Sequence, residues 1–119
     1  DEAERCHNVG ILYEGSLLAY NTPSELVRDF PYQVIEVNGK PRKSMRRIVS
    51  ETDGIMEWRP VGDRLRLLTS PNHNGKQPIL VKLDRQFQKE KMEIRSLHIT
   101  RPTLEDIFVN LVNQKRREA

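Results

Sequence analysis

The sequence predicts an α+β fold, and three observations carry that expectation. Residues 64–69, Arg-Leu-Arg-Leu-Leu-Thr, alternate basic and apolar side chains as a half-buried strand does, whereas Ile79, Leu80, Leu83 and Phe87 recur at the spacing of a helix face. Between residues 32 and 100 the two periods take turns: strand, helix, two strands, helix, strand. Pro31, Pro41, Pro78 and Pro102 stand where one element gives way to the next.

The elements follow in chain order. Val9, Ile11 and Tyr13 alternate up to Glu14-Gly15, and Leu17 to Tyr20 follow the turn, so residues 8–20 read as a short β-hairpin. Thr22-Pro23-Ser24-Glu25 then opens a helix over about residues 23–30. The Thr22 hydroxyl can accept the Glu25 backbone N–H while Glu25 reaches back to cap it, and Pro23 fills the first helical position, where no N–H is needed. Leu26, Val27 and Phe30 share one face, and Pro31 closes the helix by disfavouring α geometry in the residue before it.

Residues 32–38 are rich in β-formers, and Pro41 opens a helix whose Met45, Ile48 and Val49 lie at helical spacing before Asp53-Gly54 ends it. Strands at 55–59 and 64–69 around Val61-Gly62-Asp63 make a second hairpin. Residues 71–75 read as a loop, Pro78 starts a helix to about Glu90, and residues 92–100 return to strand. This β-α-β-β-α-β order is that of a ferredoxin-like unit: a four-stranded antiparallel sheet with two helices, here at about 41–52 and 77–90, on a single face. A final helix begins at Pro102-Thr103, with Thr103 as cap, Asp106 three residues on, and Leu104, Ile107, Phe108, Leu111 and Val112 along one face. Lys115-Arg116-Arg117 suits its negative C-terminal end.

Composition narrows the setting. The 119 residues are 36% hydrophobic and 31% charged, which is the balance of a water-soluble globular chain. A net charge of +3 identifies neither nucleic acid nor lipid as a partner. Cys6 is the single cysteine, so no intrachain disulfide can form, and a reducing cytoplasmic setting fits. No apolar run approaches the about 18 residues of a membrane helix, so any membrane link is expected to be indirect, without insertion. The chain starts without Met inside what reads as a helix, and further sequence is expected before Asp1.

Two stretches carry a resemblance. Residues 1–26 contain Asp-Glu-Ala-Glu-Arg-Cys and then Val-Gly-Ile-Leu-Tyr-Glu-Gly-Ser-Leu-Leu-Ala-Tyr-Asn-Thr-Pro-Ser-Glu-Leu; residues 102–111 are Pro-Thr-Leu-Glu-Asp-Ile-Phe-Val-Asn-Leu. Both resemble ABC transporter ATP-binding subunits, in which the acidic run follows the switch-loop histidine, the hairpin and helix close the ATPase core, and the second motif marks the C-terminal end. Asn21 stands where the family often has Gly. The resemblance implies that residues 1–30 are the C-terminal end of the ATPase core. It makes residues 31–119 an accessory domain, with the ferredoxin-like unit at 32–100 and the final helix at 102–115.

By the same resemblance the full-length protein would couple hydrolysis of ATP, with Mg²⁺, to export through a membrane permease. It would work as a dimer, peripheral at the inner face of the cell membrane. ATP hydrolysis needs a Gly-rich phosphate cradle ending in Gly-Lys-Ser/Thr and a Mg²⁺-holding Asp. The chain has no such loop, Gly10 and Gly15 fall in a hairpin, and His7 lies too far downstream to be the switch histidine. The chain is therefore expected to be a non-catalytic accessory or regulatory domain, not an enzyme, with no catalytic, cofactor-binding or metal-binding residues of its own. The alternative is a ferredoxin-like module that senses a small molecule.

Individual residues are weighed on the same physical grounds. Asp1, Glu2 and Glu4 read as dipole-compensating surface acids, Cys6 as a small buried residue, and His7, His73 and His98 as scattered side chains without ligand spacing. Lys40, Arg42, Lys43, Arg46 and Arg47 form one dense basic patch, read first as a solvated helix face and second as a contact for an acidic partner or lipid headgroups. The strand at 64–69 offers no aromatic platform, which argues against RNA, and Trp58 and Tyr32 read as packing residues before pocket residues. The stripe Leu104, Ile107, Phe108 and Leu111 is the candidate interface, packing on its own sheet or docking on the ATPase core or a second copy, and a homodimer is expected.

Overall fold

The computed structural model describes residues 7–70 and 78–118. The acidic start, Cys6, His73 and the loop expected at 71–75 lie outside the described residues. In chain order the elements are β1 (Val9–Tyr13), β2 (Ser16–Asn21), α1 (Pro23–Asp29), β3 (Gln33–Lys40), α2 (Arg42–Glu51), β4 (Ile55–Val61), β5 (Arg64–Thr69), α3 (Ile79–Lys89), β6 (Glu93–Thr100) and α4 (Leu104–Glu118). The fold is α+β, as the sequence predicts.

Residues Pro31–Arg101 form one compact unit. Its four strands lie in the order β4-β5-β3-β6, with each neighbouring pair antiparallel. Period-two alternation puts Ile35 and Val37 of β3 on the same face as their partners Leu67 and Leu65 of β5. That face is the one the helices cover: Met45, Ile48 and Val49 of α2 and Ile79, Leu83 and Phe87 of α3 join those four strand residues in a single buried cluster. Both helices thus lie on one side of the sheet, in the split-βαβ arrangement of a ferredoxin-like unit.

Strands β3 and β4 run further than the sequence reading gave, to Lys40 and Val61. Pro60 is tolerated inside β4 because β4 is an edge strand and loses no ladder bond on its open side. Helix α2 ends at Glu51 with Thr52 extended, and Gly54, at φ 95°, supplies the left-handed position of the turn that leads into β4.

The other unit comprises the described parts of Asp1–Phe30 and Pro102–Ala119. Strands β1 and β2 pair antiparallel around Glu14 and Gly15, whose φ angles of 48° and 80° are the paired positive values of a tight hairpin turn. The Glu25 N–H donates to Thr22 Oγ1 at 3.2 Å, as expected, but the return cap differs. Glu25 Oε1 accepts the Thr22 hydroxyl at 2.8 Å, and the Thr22 N–H donates to Asn21 Oδ1 at 2.9 Å. In this unit α4 groups with residues 1–30, whereas residues 31–101 form the other unit. The apolar side of α4 is satisfied by the hairpin and α1, a choice that a helical stripe alone does not reveal.

Candidate functional site

The two motif-bearing stretches stand at opposite ends of the sequence, and folding brings them into one unit. Ile11 of β1, Val27 of α1 and Ile107 of α4 are buried together, with Leu18, Ala19, Leu26, Phe30, Leu104 and Leu111 packed around them. Three of the four candidate interface residues are therefore engaged within the chain, while Phe108 is 41% exposed. A reciprocal cap fixes the start of α4: the Thr103 N–H donates to Asp106 Oδ2 at 2.8 Å and the Asp106 N–H donates to Thr103 Oγ1 at 3.2 Å.

The sequence reading missed a second side of α4. Asp106 and Asn110 are buried, and Gln114 Nε2 donates to Asn110 Oδ1 at 2.8 Å, a polar row at four-residue spacing beside the apolar stripe. That spacing was the available signal.

One face of the hairpin is left apolar and open. Leu12, Leu17 and Tyr20 are 65%, 59% and 63% exposed. Leu12 pairs with Leu17 and Gly10 with Tyr20 across the ladder, and a methyl added to Gly10 would stand 3.2 Å from Leu17 Cδ1 and 3.6 Å from Tyr20 Cδ1. A shallow groove of about 220 Å³ is lined by Leu17, Leu18, Leu111, Gln114, Lys115 and Glu118.

In the ferredoxin-like unit the helix-free face carries charge. Register places Arg59, Arg66, Glu36 and His98 in one row across β4, β5, β3 and β6. The buried Glu36 carboxylate accepts from Arg64 Nη1 at 2.7 Å and Arg66 Nη1 at 2.8 Å, and Arg66 Nη2 donates to the Arg101 carbonyl at 3.2 Å. Burial alone would raise the Glu36 pKa, but the hydrogen bonds and charges of Arg64 and Arg66 together outweigh it and hold the carboxyl below its ordinary value. His98 Nε2 lies 3.6 Å from Glu36 Oε1, so one histidine of the scattered three acquires an acidic neighbour. Among the described residues no group of three metal-ligating side chains converges.

The remaining candidates fall apart spatially or pack. Trp58 pairs with Leu67 and packs, partly buried, against the helix-covered core, so it offers no open stacking face. Lys40, Arg42, Lys43 and Arg46 are all exposed and have no ion-pair partner among the described residues, whereas Arg47 pairs with Glu51 at 3.2 Å and with Glu90.

No protein-family model matches the chain, and comparison with curated proteins gives no significant match. No described helix is long and apolar enough to cross a membrane.

Proposed function

We propose that the chain is the C-terminal part of an ABC transporter ATP-binding subunit, acting as a non-catalytic accessory region. One observation carries the reading: the two stretches that resemble that family, separated by the whole ferredoxin-like unit, fold together as a single unit. An accessory domain set between two parts of one structural element has this arrangement. The open hairpin supports it further. A two-stranded sheet is marginal by itself, and the exposed face of Leu12, Leu17 and Tyr20 is apolar surface suited to burial on a larger body.

On this reading ATP and Mg²⁺ bind in sequence preceding Asp1, and the whole protein drives export through a permease at the inner face of the cell membrane. The chain, with residues 31–119 as its accessory domain, contributes regulation, dimer stabilisation or partner contact. The test is the reading frame upstream of Asp1. A Gly-rich loop ending in Gly-Lys-Ser/Thr, followed by an ABC signature motif, is the expected result, and an upstream sequence lacking both overturns the proposal.

A further inference from the structure

We draw no further inference here: the strongest candidate, the open polar groove of about 370 Å³ between α3 and the C-terminal end of α2, lined by Ile48, Glu51, Thr52, Asp53, Lys82 and Gln86, holds no buried polar side chain that lacks a hydrogen-bond partner among the described residues, and nothing in the structure shows what would occupy it.

Discussion

Arg66 Nη1 and Glu36 Oε2 meet at 2.8 Å across neighbouring strands, with only 10% and 11% of the two side chains exposed. Arg64, itself half exposed, approaches the other Glu36 oxygen at 2.7 Å. A carboxylate held by two guanidiniums ties β3 to β5 on the face the helices leave uncovered.

Replacing that carboxylate should be costly. Glu36→Gln removes the buried carboxylate charge that Arg64 and Arg66 share, and a loss of about 2–3 kcal/mol is expected in urea denaturation at neutral pH. The pH dependence follows from the sign of the shift. The folded-state pKa of Glu36 lies below its ordinary value of 4.5, so the stabilisation is fully present above that value and is lost as pH falls through the folded-state pKa. Melting temperature measured from about pH 6 down to about pH 3 should therefore fall less steeply in Glu36→Gln than in the parent.

Much of this architecture was legible locally. The alternation of Leu65 and Leu67 against Arg64 and Arg66 gives the faces of β5, and Thr103 with Asp106 gives the start of α4. What escaped depends on register and long-range choice. Glu36 reads as one polar residue in a run of β-formers until Arg66 and His98 are set opposite it. The stripe of Leu104, Ile107 and Leu111 would look the same packed on the nearby sheet or, as found, with Ile11 and Val27 of the hairpin and α1. The basic patch was visible, but that Lys40, Arg42, Lys43 and Arg46 form no ion pair among the described residues is a property of the folded surface.

Thr103→Ala tests the reciprocal cap on α4. It removes the acceptor of the Asp106 N–H, and a loss of about 1 kcal/mol is expected. Amide hydrogen exchange should quicken in the first turn of α4 and stay unchanged in α3. An unaltered exchange rate at Asp106 would mean that the cap contributes nothing.

Two phenylalanines should separate core from surface. Phe87→Ala empties a fully buried site between α3 and the sheet and should cost about 3–5 kcal/mol. Phe108 is 41% exposed on α4, and in the monomer Phe108→Ala should stay within about 0.5 kcal/mol. Similar losses at dilute concentration would contradict the burial pattern.

Calorimetry with ATP and Mg²⁺ should give no saturable heat and no hydrolysis, because the sequence lacks the backbone cradle and the metal-holding acid that nucleotide chemistry needs. Specific ATP binding would refute the accessory reading outright.

The final prediction concerns self-association. Within its own unit the hairpin buries Ile11 against Val27 and Ile107, which covers only one of its faces. Leu12, Leu17 and Tyr20 remain 59–65% exposed on the other, and apolar area withdrawn from water is worth about 25 cal/mol per Å². If the natural cover is an ATPase core, the chain by itself must leave that face wet or share it with a second copy. A two-fold related pair would bury both copies of the patch at once, since an isologous contact uses the same surface twice. A homodimer is therefore expected, with Leu12, Leu17 and Tyr20, or Phe108 on α4, in its interface. Leu12→Lys/Leu17→Lys places two like charges against their symmetry mates and should yield a monomer if the hairpin face is used; Phe108→Lys asks the same of α4. Light scattering decides. A mass near the single-chain 13.9 kDa for the parent protein, at concentrations well above about 100 μM, where even a dimer of about −6 kcal/mol is substantially populated, would rule the association out.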